Sequence, residues 1–204
     1  MIILGLTGSI GMGKSTAAAM LRRLGVPVHD SDAAVHRLIG PGGRAVAAVG
    51  EAFPGVVVDG AVDRPALGAK VFGDPAALKK LEAILHPMVG EEKGRFLRRE
   101  ASRRTKVVAL DVPLLFETGG DRGCDATILI TAPAFIQAAR VLRRPGMTKE
   151  RLEEIRARQM PELDKRRRAD FIVPSGLGHR LTLQRLMAIV RLMSRRSGRH
   201  WPPC

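Results

Sequence analysis

The feature that most constrains this chain is a glycine-rich octapeptide close to its N-terminus. Residues 8–15 read Gly-Ser-Ile-Gly-Met-Gly-Lys-Ser and fit the pattern G-x-x-x-x-G-K-[ST] in full. The apolar run at residues 2–6 predicts a buried strand before it, and a helix is expected over residues 14–24. Strand, glycine turn and helix in this order predict an α/β fold with a parallel sheet covered by helices.

The octapeptide is a candidate phosphate-binding loop. Its glycines let backbone N–H groups point inward, and the helix N-terminus adds partial positive charge at the same place. Lys14 is expected to reach the β- and γ-phosphates of a nucleoside triphosphate, and the Ser15 hydroxyl to hold Mg²⁺. The residues expected to bind the nucleotide are Gly11, Met12, Gly13, Lys14, Ser15 and Thr16. The alternative, a glycine turn that binds nothing, is disfavoured by the flanking strand and helix.

Positive charge is concentrated in the C-terminal third of the chain. The 204 residues include 34 Lys and Arg against 20 Asp and Glu, a net charge of +14. Residues 1–139 hold 17 basic and 14 acidic residues (+3), whereas residues 140–204 hold 17 and 6 (+11). Such a chain is expected to bind an anion, whether a nucleic acid, a phosphorylated small molecule or a membrane surface.

Other features argue against secreted and membrane-spanning classes. Two cysteines, Cys124 and Cys204, do not make a disulfide framework, so we expect a reducing, cytoplasmic location. No apolar run approaches the roughly 18–20 residues of a membrane span. The N-terminus has no basic segment before its apolar run, so a signal peptide is not expected.

Acidic residues stand where predicted strands end. Asp30 and Asp32 follow the predicted strand at 26–29, and an acid there is commonly a helix N-cap. Because strand carboxyl ends face the same crevice as the phosphate loop, such an acid can also orient an acceptor hydroxyl and take its proton. Both can hold, with Asp30 structural and Asp32 functional. Asp111 ends a further apolar run and is placed to hold Mg²⁺.

Two proline-containing elements are unusual. Pro113 excludes a regular central strand after Asp111, so the residues that follow it form either core packing or the wall of a pocket. Those residues are Leu114, Leu115, Phe116 and Glu117. His86 precedes Pro87, and because proline restricts the residue before it, a helix is expected to end there with His86 near its C-terminus.

Basic side chains dominate residues 140–168. Arg140, Arg143 and Arg144 lie on adjacent turns of one predicted helix, and residues 158–168 add four Arg and one Lys. A solvated basic face is the simplest interpretation. Phosphoryl-transfer enzymes, however, use mobile arginine-rich segments to neutralise the transferring group and to close over it, which favours a lid.

These motifs resemble the dephospho-CoA kinase family from residue 5 to about residue 186. Beyond the phosphate loop, the matching elements are Asp30-Ser31-Asp32 with His36, Asp63-Arg64, Leu81-Glu82-Ala83-Ile84-Leu85-His86-Pro87, Asp111-Val112-Pro113-Leu114-Leu115-Phe116-Glu117, Gln137 with Arg140, and Gln159-Met160-Pro161. The phosphate loop is shared by many NTPases, whereas the His-Pro and Val-Pro-Leu-Leu-Phe-Glu elements are more specific.

The resemblance implies ATP-dependent phosphorylation of the ribose 3′-hydroxyl of dephospho-CoA, giving CoA and ADP. It implies that Asp32 is the catalytic carboxylate, that Lys14 and Ser15 serve ATP and Mg²⁺, and that Arg140 bridges lid and phosphates. The residues implied to line the acceptor pocket are Asp32, His86, Leu114, Leu115, Phe116, Glu117 and Arg140. The expected partner is the small-molecule substrate, with no nucleic acid or membrane, for a monomer or weak homo-oligomer.

The implied fold is the three-layer P-loop NTPase fold with a helical insertion and a helical lid. We expect one domain over residues 1–197, with its core at 1–34, 105–139 and 169–194, a substrate-binding insertion at 35–104, a lid at 140–168 and a disordered basic tail at 195–204. The chain departs from the family pattern at Arg144-Pro145-Gly146, usually Arg-Asp-Gly, and at Pro174-Ser175, usually Asp-Asn on the adenine side.

Three other functions share some of these features. An adenylate- or shikimate-type kinase would also carry the loop, an acid and a lid, but the His86-Pro87 element and residues 113–117 argue against it. A nucleic-acid-binding NTPase would suit the charge, yet six Phe, one Trp and no Tyr leave few stacking platforms. A switch GTPase would need an Asn-Lys-x-Asp sequence, which is absent.

Overall fold

In the computed structural model, which describes residues 1–202, the chain divides into two units. The first unit consists of Met1–His29 and Glu100–Cys204, and the second is Asp30–Arg99. Residues 203 and 204, and with them Cys204, lie outside the described part. Cys124 is a buried thiol that forms no disulfide within the described residues.

Strands and helices alternate through most of the first unit. The elements of both units, in chain order, are β1 (Ile2–Thr7), α1 (Lys14–Arg23), β2 (Val28–Asp30), α2 (Ser31–Ile39), α3 (Val46–Ala52), β3 (Val57–Val58), β4 (Ala61–Val62), α4 (Arg64–Val71), α5 (Pro75–Ser102), β5 (Val107–Asp111), β6 (Ala126–Thr131), α6 (Ala134–Leu142), α7 (Lys149–Arg158), α8 (Glu162–Arg168), β7 (Phe171–Pro174) and α9 (His179–Met193). A short 3₁₀ turn at Gly120–Gly123 precedes β6.

A five-stranded sheet in the order β2-β5-β1-β6-β7 forms the centre of the first unit. The pairs β1–β5, β1–β6 and β6–β7 are all parallel, so the predicted parallel α/β architecture is confirmed. Every residue of β1, β5 and β6 is buried, as expected for parallel strands that are covered on both faces.

The alternation of side chains along β1 places its even-numbered residues in one core. Ile2, Leu4 and Leu6 join a buried cluster that includes Leu21 of α1 and Leu186 of α9, and these two helices also contact each other. Burying an aliphatic side chain of this size contributes about 1.5–3 kcal/mol. The core therefore fixes both β1 and α1, the two elements that carry the glycine loop between them.

The register of the sheet decides what lies beside that loop. Leu6 of β1 is opposite Asp111 of β5, and Thr7 is opposite Leu129 of β6. Since the strands are parallel, the carboxyl end of β5 lies next to the point where β1 passes into the loop. This register brings Asp111 to the predicted site.

The second unit is built on its own apolar cluster. Leu38 of α2, Val49 of α3 and Leu81 and Leu85 of α5 are buried together with Phe53. The antiparallel hairpin of β3 and β4 turns at residues 59 and 60, both of which have positive φ. An Asp-Gly pair at such a turn is the sequence that tolerates this backbone best.

The predicted helix end at His86 is wrong. Helix α5 runs from Pro75 to Ser102 with Pro87 inside it. A proline in a helix interior removes one hydrogen bond and costs about 3 kcal/mol. Here Leu85, Met88 and Val89 pack on the same cluster on either side of the proline, so apolar burial offsets the loss. Leu78 in the first turns of this helix is 45% exposed.

Asp125 attaches the segment after α9 to the sheet. Asp125 accepts a hydrogen bond from the Ile3 N–H through Oδ2 at 2.7 Å, and from the Arg199 N–H through Oδ1 at 2.6 Å. One carboxylate therefore joins β1 to the segment that follows α9. Within residues 1–202, no helix is both long enough and apolar enough to cross a membrane.

Asp63 is the N-cap of α4, as its sequence position before Pro65 predicts, and its side chain accepts the Ala66 N–H at 3.0 Å. Replacing Asp63 by Ala should lower the free energy of unfolding by about 1 kcal/mol, because an orphan N–H is left unpaired. Asp63→Asn is the control, since Asn caps nearly as well. Urea unfolding of the three proteins measures the difference, and equal losses for Ala and Asn would contradict the capping role.

Candidate active site

The loop at residues 8–13 connects β1 to α1 in a conformation that requires glycine. Gly11 and Gly13 have φ values of +74° and +90°, in the left-handed region that favours glycine. Gly13 is the N-cap of α1, and neither a side-chain cap nor an acidic residue occupies the first turn. The first N–H groups of α1 are therefore available to an anion, and the helix dipole favours one there.

Lys14 and Asp111 form an ion pair beside this loop. The Lys14 Nζ lies 2.5 Å from Asp111 Oδ1, and the carboxylate side chain is only 3% exposed. Lys14 is the first residue of α1 and Asp111 is the last residue of β5. The register between β1 and β5 brings the two side chains together. The sequence predicted a role for each residue separately but not their contact.

Three consecutive carbonyls of the loop accept hydrogen bonds from outside it. The Gln137 Nε2 donates to the Ile10 carbonyl at 2.8 Å, and the Arg140 Nη1 to the Gly11 carbonyl at 3.4 Å. The Ser175 hydroxyl donates to the Met12 carbonyl at 2.5 Å. Because each peptide group is planar and trans, the N–H groups of Gly11 and Gly13, which share a peptide with the Ile10 and Met12 carbonyls, are turned to the other side. The Met12 N–H instead donates to the Ser9 carbonyl at 3.1 Å.

Arg140 is held by the segment that follows β7. Its two terminal nitrogens lie 2.9 Å from the Ser175 hydroxyl oxygen and 2.9 Å from the Ser175 carbonyl oxygen. The predicted site residue thus reaches the phosphate loop, and Ser175, at a position that departs from the family pattern, connects the two. The sequence marks Ser175 only as a departure from the family pattern, and its contacts with Arg140 and Met12 could not be predicted because nothing local distinguishes it from a turn serine.

A glutamine from the α7–α8 connection contacts the same loop. The Ile10 N–H donates to Gln159 Oε1 at 3.2 Å. Gln137, which binds the Ile10 carbonyl, itself accepts hydrogen bonds from Arg156 at 2.7 and 3.2 Å. Both backbone groups of Ile10 are therefore paired with side-chain amides, and Arg156 of α7 supports one of them.

Lys165 and Glu117 form a buried polar cluster with the Ser9 side chain. The Lys165 Nζ is 2.8 Å from Glu117 Oε1 and 3.3 Å from Ser9 Oγ. Glu117 Oε1 also accepts the Met160 N–H at 3.0 Å. Burial alone would raise the pKa of the Glu117 carboxyl, but the hydrogen bond from Lys165, aided by that from Met160, outweighs it and holds the pKa below its ordinary value.

Glu162 lies at the edge of this cluster, and its pKa is shifted in the opposite direction to that of Glu117. Burial raises the pKa of the Glu162 carboxyl above its ordinary value, against the lowering effect of the nearby Arg166 and Lys165 charges. Its Oε2 is 3.5 Å from the Ser9 hydroxyl, a long contact, and Arg166 is 3.9 Å from its Oε1. The two glutamates are therefore held differently, Glu117 as a paired anion and Glu162 more weakly.

The residues of the predicted pocket segment, 114–117, differ in how far they are buried. Leu115 and Phe116 are buried, whereas Leu114 is exposed and Glu117 is half-buried. Arg168 holds the segment from α8, since its guanidinium donates to the Phe116 carbonyl at 3.3 Å and stacks over the Phe116 ring at 5.0 Å. Packing accounts for Leu115 and Phe116, and a pocket role for the segment stays a prediction.

The remaining candidates belong to the second unit. Asp30 is the N-cap of α2 and accepts the Ala33 N–H at 2.9 Å, which is the structural role expected of it. Asp32 is exposed in the first turn of α2, and its side chain is not the cap. His86 is exposed on α5. Their functional roles stay predictions.

The described residues contain no group of three or more His, Cys, Asp and Glu that could hold a metal ion by themselves. Asp111 and Ser15 nevertheless offer a carboxylate and a hydroxyl oxygen, the ligand type that Mg²⁺ prefers. Two such donors fit an ion that keeps several waters and takes its other ligands from substrate phosphates.

A parallel sheet, a glycine loop that opens helix α1, and a lysine at the start of that helix define a P-loop phosphate-binding protein. The dephospho-CoA kinase family model matches residues 2–177. A relative named dephospho-CoA kinase from Paramagnetospirillum magneticum is 65% identical over 193 residues, which are 95% of this chain and 91% of the relative. The chain belongs to the dephospho-CoA kinase family.

Solved structures agree with this fold. A crystal structure of a Thermus thermophilus protein covers 97% of this chain and 98% of its own, with 39% identity and a TM-score of 0.80. The dephospho-CoA kinase from Campylobacter jejuni, 21% identical, has the same fold over 95% of this chain and 98% of its own, with a TM-score of 0.61.

Gly8 leaves no room for a side chain. A Cβ at this position would lie 2.8 Å from the Ile130 carbonyl oxygen of β6, a backbone atom that cannot turn aside. Gly8→Ala should therefore cost about 1–3 kcal/mol of stability and displace the loop, so that affinity for a fluorescent ADP falls.

Gly90→Ala is the matched control. Nothing lies within 4 Å of a Cβ at this helical glycine of α5, so the change should stabilise the protein by about 0.5–1 kcal/mol and leave ADP affinity unchanged. Unfolding and ADP titration of both variants test the prediction, and unchanged ADP affinity in Gly8→Ala would contradict it.

Proposed function

We propose that this chain transfers the γ-phosphoryl group of ATP to the ribose 3′-hydroxyl of dephospho-CoA, giving CoA and ADP. The observation that carries the proposal is the convergence of Lys14, Asp111 and Arg140 on the loop at residues 8–13, at the uncapped N-terminus of α1. Membership of the dephospho-CoA kinase family supports the choice of acceptor.

ATP binding rests on charge and backbone donors together. The N–H groups of Gly11 and of residues 13–16 surround the β-phosphate, while the Met12 N–H donates to the Ser9 carbonyl within the loop. Lys14 supplies a point charge to the β- and γ-phosphates. Arg140 adds a second cation on the loop. Because the charge of the transferring group is spread over its oxygens, fixed cations lower the barrier without forming a covalent intermediate.

Transfer requires an oriented acceptor hydroxyl. The hydroxyl oxygen attacks the γ-phosphorus while the bond from phosphorus to the β,γ-bridging oxygen breaks, and ADP leaves. Asp32 accepts a hydrogen bond from the hydroxyl and takes its proton late, because a loose transition state demands little early proton removal. An exposed Asp32 that does not cap α2 supports this role.

Ser15 and Asp111 would hold Mg²⁺. When bound, the ion would neutralise charge on the β- and γ-phosphates. Lys14 already binds Asp111 Oδ1, so the carboxylate is fixed in direction before any ion is added.

Further parts of the proposal concern the acceptor and the setting. His86 and residues 114–117 line the acceptor pocket, with residues 140–168 as a lid that excludes water. The protein acts in the cytoplasm on a small molecule, as a monomer or weak homo-oligomer, without nucleic acid or a membrane.

The acceptor can be identified by a coupled assay of ADP release with ATP and Mg²⁺. We expect dephospho-CoA to be phosphorylated at least tenfold faster than AMP, adenosine or shikimate, because only it would fill both the nucleoside and the pantetheine parts of the pocket. Lys14→Ala should fold and yet show no turnover. Faster turnover of another acceptor would replace the proposed substrate, and a Lys14→Ala variant with near-normal rate would remove the phosphate loop from the mechanism.

A catalytic role of Asp32 can be distinguished from a helix-capping role by measuring both kcat and the melting temperature of one variant. Asp32→Asn should lower kcat about 10²–10⁴-fold, the range for a general base, because Asn cannot take the proton. Its melting temperature should stay near that of the wild type, since Asp30 provides the cap. Asp30→Asn is the control, expected to retain both stability and kcat. A normal kcat in Asp32→Asn would reassign the role.

A further inference from the structure

Helix α8 carries a lysine that points into the protein interior. The Lys165 side chain is 0% exposed and is the largest fully buried side chain of the part described, although its neighbours Arg166, Arg167 and Arg168 are exposed. Lysine is almost never fully buried unless its charge is paired, because desolvation of an ammonium group is costly. A buried position therefore calls for a specific reason.

The contacts of Lys165 join two segments that are distant in sequence. Its Nζ donates to Ser9 Oγ at 3.3 Å, next to the first glycine of the phosphate loop, and pairs with Glu117 Oε1 at 2.8 Å. Glu117 Oε2 is buried, with no hydrogen-bond partner among residues 1–202. The Glu117 charge therefore depends on Lys165, with the Met160 N–H as its other support.

Attachment of α8 to this part of the protein does not require Lys165. Arg168, on the same helix, already binds the Phe116 carbonyl and Asp121, the latter at 2.7 Å. The Ser9 end of the loop is different. The carbonyls of residues 10–12 are held by three other side chains, whereas the Ser9 side chain contacts Lys165 and, at 3.5 Å, Glu162.

We propose that Lys165 is a positioning residue for phosphoryl transfer, which acts through Ser9 and fixes the start of the phosphate loop against Glu117. The ammonium cannot touch the substrate from its buried position, so its effect passes through the Ser9 hydroxyl. A displaced loop misplaces both its N–H groups and the γ-phosphate, and a shift of about 1 Å can cost 10²-fold in rate. This inference rests on the proposed function, because its main measurement is transfer from ATP.

The test is a double-mutant cycle between Lys165 and Ser9. Lys165→Met should lower kcat about 10- to 100-fold and weaken binding of a fluorescent ADP, with the Kd for dephospho-CoA within about twofold of the wild type. In a Ser9→Ala background, Lys165→Met should lower kcat by no more than about twofold further, because the contact through which it acts is already gone. Fully additive losses would overturn the proposal.

Lys106→Met is the matched control. Lys106 is an exposed lysine immediately before β5, at the end of the strand opposite to Asp111. The same chemical change there should leave kcat and ADP affinity unchanged. An equal loss in Lys106→Met would mean that the effect is one of overall charge, and would overturn the proposal.

A second double variant distinguishes two roles of Lys165, namely positioning of the phosphate loop and neutralisation of the Glu117 charge. The variant Lys165→Met with Glu117→Gln removes both buried charges, so no unpaired ion remains. The readout is affinity for fluorescent ADP, which does not involve the acceptor pocket that Glu117 is proposed to line. If Lys165 only neutralised Glu117, this variant would recover the wild-type ADP affinity. We expect stability to recover while ADP affinity stays weakened. If Lys165→Met does not fold, Ser9→Ala alone decides, since it should lower kcat about tenfold, and a normal kcat would overturn the proposal.

These outcomes differ from failure of the proposed function. Wild-type protein that does not phosphorylate dephospho-CoA would refute the acceptor assignment. Binding of fluorescent ADP to the same variants needs no acceptor, and it would still report whether Lys165 and Ser9 together position the loop.

Discussion

A loop that binds phosphate with its backbone must present N–H groups on one side, and its carbonyls must therefore be satisfied on the other. In this protein three consecutive carbonyls each accept a hydrogen bond from a side chain outside the loop. The donors are Gln137, Arg140 and Ser175. The donors come from α6 and from the segment after β7, which the parallel pairing of β6 and β7 holds beside β1. The geometry of the site thus depends on contacts behind the loop as much as on the glycines within it.

Those parts of the fold that depend on local rules could be predicted from the sequence. The glycine loop is predictable because its pattern, the strand before it and the helix after it lie within about two dozen residues. Asp30 and Asp63 cap helices through N–H groups only three residues away, so the same short range governs them. The parallel sheet followed from the order of strands and helices, since each covered strand reads as a continuous apolar run.

Contacts between distant residues could not be predicted in the same way. Lys165 and Ser9 are 156 positions apart, and Ser175 and Met12 are 163 apart, so neither pair leaves a local pattern. Lys165 stands in a run of arginines, where an exposed basic face is the simplest interpretation. Pro87 shows the converse error, because a local rule that normally ends helices was overridden by apolar packing on both sides of it.

The support behind Ile10 has an electronic consequence. The positively charged guanidinium of Arg156 donates a hydrogen bond to Gln137 Oε1, and Gln137 Nε2 donates in turn to the Ile10 carbonyl. A peptide group whose oxygen accepts such a bond draws electron density away from its own nitrogen, and hydrogen bonds in a chain strengthen one another. The nitrogen of that peptide is the Gly11 N–H. A guanidinium on the outside of the loop therefore makes the amide on the inside a more acidic donor, although the contacts of Arg156 are with the Gln137 and Glu153 side chains and not with the Gly11 amide.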